Sequence, residues 1–495
     1  MRTPSSLVLV TVDCLRADHC GFYGYRRPTT PFLDALAGES FVVPTAVVAG
    51  TPTYYSFPAL LASRTPLALG RDVIGLAPGE KTLATALHEV GYATGAFAAA
   101  NPYISPPFGY DQGFEVFQDF LDFNVPSTPA ADEQRLSALA STRGKLNRSL
   151  KLAAEAAGLG RLYGELYFQY CVRIAAPRVE SIDALRKFPT AEAIVDRAIS
   201  WLTTAGRRPF FLWIHLMDPH SPYYPTPAAF RELTGREVSG NQARFLNEFW
   251  NRSDLTAARL ERNRNSIVEL YDAGIRAVDS QIARFVCHLK QVDRWDNCAF
   301  VLTADHGEEF LDHGRRYHAP VSLCEEIARV PLMIRVPASG KKRVPETPFS
   351  HLDLAPTLLE ILDVPVPESF QGMSLWRNLQ QEAPWERPAV AECVYGCTNP
   401  FRPELRMAAR LLSVRDARHK LVMRIEPGAI EELYDLRTDP GERQPLPAGT
   451  HNEVRIRLLR AARKHISDTA GAKDVVAQLK IRLRDVRVEL QQIRS

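Results

Sequence analysis

Residues 298–302, Cys-Ala-Phe-Val-Leu, form a short apolar run of the kind that becomes a buried strand. The run leads into Thr303-Ala304-Asp305-His306-Gly307-Glu308. A strand ending in Asp-His places a hard oxygen ligand and an imidazole side by side at the edge of its sheet. Residues 7–12, Leu-Val-Leu-Val-Thr-Val, form a second such strand and end in Asp13. Open α/β sheets hold their ligands in the crevice beyond the carboxyl ends of the strands. A fold that serves both strands must bring those ends together, which predicts that Asp13, Asp305 and His306 hold one divalent metal.

The rest of the chain alternates strand and helix patterns. Thr30-Pro31 opens a helix, with Thr30 as N-cap and Pro31 at the first helical position. Residues 41–48 alternate weakly and predict a strand, and 50–61 form a loop that enters a helix. A helix is expected over 82–90, and a buried strand over 93–99 that runs out at Asn101. Residues 124–188 carry Arg, Leu and Ala at helical spacing and read as a helical insertion, either a solvated cover or a substrate lid. A helix over 191–202 precedes a strand over 209–216, which ends in Asp218-Pro219-His220. Residues 226–253 are expected to be irregular, and 263–289 a long amphipathic helix with Ile267, Leu270, Tyr271, Ile275, Val278 and Ile282 on one stripe. A strand over 330–336 and a helix over 353–362 follow. This alternation predicts an α/β fold, a doubly wound and mostly parallel sheet with helices on both faces.

From about residue 387 the texture changes to short strands without long helices between them, which predicts a small antiparallel subdomain. The expected division is a catalytic α/β domain over 1–385, the antiparallel subdomain over 386–450 and C-terminal helices over 451–495. In the tail, Val476, Leu479, Leu483, Val486, Leu490 and Ile493 recur at heptad spacing. That seam can pack on its own body or join a homodimer through the C-terminal helix.

Composition narrows the function classes. With 495 residues and a net charge of +3, the chain has no basic excess that would imply a nucleic-acid partner. No apolar run approaches the roughly 20 residues a transmembrane helix needs. Residues 1–6 are short and polar and show no signal-peptide pattern. Eight cysteines lie scattered without C-x-x-C pairing, as expected of reduced thiols in a cytoplasmic protein. Cys393 and Cys397 read as free thiols rather than a bridge.

The motifs, taken in order, resemble those of the sulfatase family within the alkaline-phosphatase-like superfamily. The opening Val10-Thr11-Val12-Asp13-Cys14-Leu15-Arg16-Ala17-Asp18-His19, with Tyr23-Gly24-Tyr25 and Thr29-Thr30-Pro31, is similar to the family's start. Asp218-Pro219-His220, Tyr271-Asp272, Val278-Asp279, the 303–308 stretch, Asp353-Leu354-Ala355-Pro356-Thr357 and the segment 432–442 resemble its later motifs. The resemblance implies the α/β fold above, a divalent metal and an anionic ester as substrate. The chain departs from the family where catalytic sulfatases carry a Cys or Ser that becomes formylglycine, followed by an Arg. Thr53 stands at that nucleophile position and Phe57 at the Arg. The loop 50–58 also resembles the nucleophile loop of lipid A phosphoethanolamine transferases, which again implies Thr53, with Thr51 and Ser56 as alternatives. Cys14 stands where many sulfatases have another metal-binding Asp, and Asn101 follows a strand after which arylsulfatases carry Gly-Lys-Trp.

These residue types set the expected chemistry. A threonine hydroxyl must be activated to attack, and a metal-bound Thr53 held beside Asp13, Asp305 and His306 would be. Two carboxylates and an imidazole suit Mn²⁺, Zn²⁺ or Ca²⁺. His220 and His215 lie at or just past a strand end and can contact the ester or protonate the leaving group. The resemblance implies that His318 contacts the substrate or a second metal, with His313 the weaker candidate. Arg16 can reach the ester or pair with Asp18, and Glu308 reads as a charge supporting the ligands or as one at a helix N-terminus. The expected function is a metal-dependent hydrolase or transferase acting on a phosphate or sulfate ester, a small anionic substrate. The alternative is a catalytically silent, sulfatase-like metal-binding scaffold.

Overall fold

A computed structural model describes residues 3–121, 149–176, 178–340, 342–425 and 431–470. Its centre is a seven-stranded sheet built from β1 (Ser6–Val12), β2 (Phe41–Val42), β3 (Ala93–Ala98), β4 (Val116–Gln118), β5 (Phe210–Leu216), β6 (Cys298–Ala304) and β7 (Leu332–Arg335). Their spatial order is β2-β7-β6-β1-β5-β3-β4. β1 pairs parallel with β5 on one side and β6 on the other. β7 runs antiparallel to both β6 and β2, so it is the one reversed strand of this sheet. Every residue of β1, β5 and β6 is buried. Strands covered on both faces have no solvent side, so they read as near-continuous apolar runs rather than alternations.

Two helices set the frame of the site. α1 (Thr53–Ala62) is buried along its whole length and begins next to the carboxyl end of the sheet. α2 (Ala257–Gln291) is longer than its stripe suggests, because the helix extends back past Leu260, itself buried, to an N-cap at Thr256. The expected stripe residues are all buried.

Elsewhere the local structure corrects the expectations. The 41–48 strand is two strands, because Pro44 interrupts it and cannot donate to a ladder. β2 stays in the large sheet, while Ala46–Val47 joins a small sheet between Arg329–Val330 and Phe349–Ser350. The 226–253 segment is helical rather than irregular. Thr226 caps Pro227–Thr234 and Ser239 caps Gly240–Trp250 through their side chains. Thr30 precedes the helix Pro31–Leu36 but makes no side-chain cap. Its hydroxyl donates to Asp34, and the amides of Phe32 and Leu33 are instead held by Asp279 of α2.

The C-terminal subdomain is a four-stranded antiparallel sheet of β8 (Ala389–Val394), β9 (Arg410–Arg415), β10 (His419–Ile425) and β11 (Glu431–Asp435). α3 (Asn452–Ala470) packs on it, with Leu458 and Ala462 against Val414, Leu421 and Leu433. The heptad seam over 476–493 and residues 124–148 of the insertion lie outside the described residues. In the described part of the insertion Phe168 packs against Phe245 and Phe249, and Glu165 pairs with Arg252 and Arg259. All eight cysteines are unpaired. Among the described residues no helix is long and apolar enough to cross a membrane.

Candidate active site

The registers of β1 place Thr11 beside His215 on one side and Thr303 on the other. Asp13, two residues past Thr11, and Asp305, two past Thr303, therefore emerge together at the carboxyl edge. Their carboxylates and His306 present three ligand atoms that lie within 4.8 Å of one another, all buried. His306 Nε2 is 3.5 Å from Asp305 Oδ2 and 3.8 Å from Asp13 Oδ1. Its Nδ1 lies 2.9 Å from the Gly307 carbonyl oxygen, so Nδ1 carries the proton and the Nε2 lone pair faces the carboxylates. The loop approaches its neighbours closely: a Cβ on Gly307 would sit 1.9 Å from the Glu326 carbonyl oxygen, so only glycine fits there.

Thr53 opens α1, and its hydroxyl donates to Asp305 Oδ2 at 2.9 Å and lies 3.2 Å from His306 Nε2. The alternatives are placed otherwise. Thr51 and Ser56 are buried and do not line the adjoining cleft. Phe57, at the position expected of Arg, is fully buried with its ring edge-on to His215 at 5.2 Å. That contact holds His215, whose Nδ1 is 2.9 Å from Thr11 Oγ1 and whose Nε2 is 3.5 Å from Asp13 Oδ2. His215 therefore faces the carboxylate cluster from inside the sheet and not the substrate cleft. Asn101 donates to Asp13 Oδ2 at 3.1 Å and also lines the cleft.

That cleft, of ≈480 Å³, opens beyond Thr53. His220 and His318 form its polar rim, and Tyr54, Tyr103, Phe188 and Tyr317 its aromatic wall. The rings of His306 and His318 are 4.4 Å apart and those of His318 and His220 5.1 Å, so three imidazoles line up from the cluster outward. His220 Nδ1 is 2.5 Å from the Ser221 carbonyl oxygen, which leaves Nε2 for the site. His318 Nδ1 is 3.3 Å from Glu308 and 3.4 Å from the Cys14 sulfur. From the insertion, Phe188 reaches the cleft and packs on His220.

The structure does not bring Arg16 or His313 to the cleft. The Arg16 guanidinium pairs with Asp18 and Asp312, both at 2.7 Å, and donates to the Glu308 carbonyl. It ties the two ligand-bearing loops together. His313 pairs with Glu326 instead. Glu308 is not followed by a helix; its buried carboxylate faces His318.

Sequence reasoning missed the bracing role of α2. The Tyr271 hydroxyl donates to the Cys14 carbonyl at 2.7 Å and accepts from the Arg16 amide at 2.9 Å. Asp272 takes His19, Tyr25 and Arg27, each at 2.7 Å. The Tyr-Asp pair in a helical stripe was the available signal. Cys14, at a position where many sulfatases have a metal-binding Asp, is a sulfur donor within 4.8 Å of His306 and His318, and of Asp13 and His220.

The electrostatics fit a cation. Burial would raise the Asp13 carboxyl, but His220, His215 and His306 hold it well below the usual carboxylate range. Asp305 is pushed up, first by burial and then by the charge of Asp13. Burial, with Glu308, Asp13 and Asp305 close by, raises the Cys14 thiol as well. Buried like charges at this spacing repel unless a positive charge sits among them. Asp13, Asp305 and His306 could hold a divalent metal beside Thr53, with Cys14 near enough to contribute.

The sulfatase family model matches residues 5–364, and the model of the N-sulphoglucosamine sulphohydrolase C-terminal region matches residues 315–468. An arylsulfatase of Clostridium perfringens is 24% identical over 491 residues, covering 92% of each chain. The phosphonate monoester hydrolase of Agrobacterium radiobacter has the same fold, with a TM-score of 0.62 at 21% identity over 95% of this chain and 96% of that one. The phosphonate monoester hydrolase of Silicibacter pomeroyi gives a TM-score of 0.65 at 20% identity, over 95% and 96% of the two chains.

Proposed function

The chain belongs to the sulfatase family, and from that premise we propose that it is a metal-dependent ester hydrolase whose nucleophile is Thr53. One observation carries the proposal: Thr53 lines the cleft while its hydroxyl lies 2.9 Å from Asp305 and 3.2 Å from His306. A divalent cation held by Asp13, Asp305 and His306 would lower the pKa of a hydroxyl beside it and offset charge on a bound ester. As the first residue of α1, Thr53 also stands where helical N–H groups favour anionic oxygens. The Thr53 oxygen forms its bond to the central atom as the bond to the leaving alcohol breaks. His220 Nε2 is placed to give that alcohol its proton. Asn101 and the rings of His215 and Phe57 keep Asp13 oriented throughout.

The residues present favour a phosphorus ester over a sulfate ester. A formylglycine hydrate releases sulfate by collapsing to the aldehyde. Threonine has no such route, so its adduct must be cleaved by attack on the central atom. A phosphorylated or phosphonylated threonine can turn over that way, with water as acceptor or with an alcohol in a phosphotransfer. Among the described residues the cleft lining includes no Lys or Arg, which suits a monoanionic ester better than the dianion of a phosphate monoester. The aromatic wall suits a leaving group with an apolar body.

The retained rival is a silent metal-binding scaffold, favoured by Phe57 at the expected Arg. Both are tested by assaying aryl sulfate, phosphate monoester, phosphodiester and phosphonate monoester substrates with Mn²⁺, Zn²⁺ and Ca²⁺ added separately. Turnover of a phosphorus ester is expected, with loss of at least about 10³-fold in Thr53→Ala and a mass adduct on Thr53. No turnover with any metal establishes the scaffold. Turnover unchanged in Thr53→Ala refutes the nucleophile.

A further inference from the structure

Downstream of His306 the chain assembles a second set of metal-type donors that the proposed catalysis does not use. His313 Nε2 lies 3.1 Å from Glu326 Oε2, and the buried Cys324 sulfur is within 4.8 Å of both ligand atoms. His313 sits in the turn between the short strands Glu309–Phe310 and Arg316–Tyr317. Cys324 and Glu326 flank the start of the helix Glu325–Ala328. Three donor types therefore converge from two separate segments.

A His–Glu hydrogen bond would account for His313 and Glu326 alone. It leaves Glu309 unexplained. That residue is 1% exposed, and its Oε1 has no hydrogen-bond partner. Burial pushes its carboxyl up to about 7 although Arg315 and His313 pull it down, and Glu326 and Asp312 add to the rise. A buried carboxylate oxygen without a partner is costly unless something positive satisfies it.

We propose that His313, Cys324 and Glu326 bind a Zn²⁺-class dication at a site separate from the Asp13–Asp305 cluster. One nitrogen, one sulfur and one carboxylate oxygen match the donor types of zinc, whose three-ligand sites keep the fourth position for water. Binding takes Cys324 as the thiolate and releases its proton to solvent. A neighbouring cavity of ≈170 Å³, lined in part by His313 and Cys324, gives the ion an approach. The site has a structural use. The Gly307 amide donates to the Ile327 carbonyl at 2.9 Å and the Glu308 amide to that of Glu326 at 3.1 Å. A cation here ties the turn bearing His313 to the segment that props the Asp305–Glu308 loop.

The test strips the full chain with a chelator and titrates it with Co²⁺. The thiolate-to-cobalt absorption band in the near ultraviolet is followed, and bound metal is counted by elemental mass spectrometry. Cys324→Ser is expected to lose one equivalent of metal together with band intensity. Glu326→Gln, which keeps the thiol, is expected to weaken Co²⁺ binding at the thiolate at least tenfold and so carries the test should Cys324→Ser misfold. Metal content and band unchanged in Cys324→Ser, or unchanged affinity in Glu326→Gln, overturns the proposal.

Discussion

The Thr53 hydroxyl is a poor nucleophile until its proton is lost, and its two neighbours Asp305 and His306 would help hold the cation that favours that loss. Asp13 plays a different part. It is the carboxylate that His215 and Asn101 also hold, so its orientation is fixed before any ligand arrives. Groups that hold a metal-binding carboxylate from behind affect affinity through geometry rather than contact. Asn101→Ala is therefore expected to raise the dissociation constant for the catalytic metal by roughly 10–100-fold, measured by competition with a chromophoric chelator. Unchanged affinity would assign Asn101 to the substrate alone. Cys14 adds strain to the same corner, since it adopts the left-handed region at φ 60°.

At the scale of elements, that strained corner is held by a helix. The Tyr271 hydroxyl of α2 satisfies both the Cys14 carbonyl and the Arg16 amide, groups buried away from water. Removing it strands two buried polar groups at once. Tyr271→Phe is expected to lower stability by about 1–3 kcal/mol and to weaken metal binding in parallel, read from urea unfolding and the same chelator competition. A stability loss with unchanged metal binding would show that the bracing is local. Asp272 and Asp279 repeat the device along the helix, one taking His19, Tyr25 and Arg27, the other two backbone amides. α2 thus aligns the whole segment that follows β1.

For the molecule as a whole, pH sets a limit on this architecture. Burial lowers the pKa of His351 to about 3, so it stays neutral in the native state. The unfolded imidazole takes up its proton near pH 6.5, while the native one does not until far lower, so stability falls as pH drops through that window. The expected loss is of order 1 kcal/mol per pH unit below about pH 6.5, seen in urea melts at stepped pH. His351→Gln should remove that part of the slope; an unchanged slope would place the acid sensitivity elsewhere. The separation between what the chain spells out locally and what its folding decides follows from range. Buried parallel strands announce themselves as apolar runs, and their last residues are known as soon as the runs end, so the α/β fold and the Asp13–Asp305–His306 cluster were legible in order along the chain. The two helices within 226–253 were written in their caps, Thr226 and Ser239, and were missed because they are short, at 8 and 11 residues, and no more apolar overall than a loop, although both are amphipathic. No local pattern could reveal that Arg16 turns from the ester to Asp312, that Phe57 is used to seat His215, or that Cys14 faces His318. Those outcomes depend on contacts between residues up to 304 positions apart, which come to exist only when strand order and register close the sheet. The sequence by itself determined the strands and the chemistry at their ends; the tertiary structure decided which side chains those ends would meet.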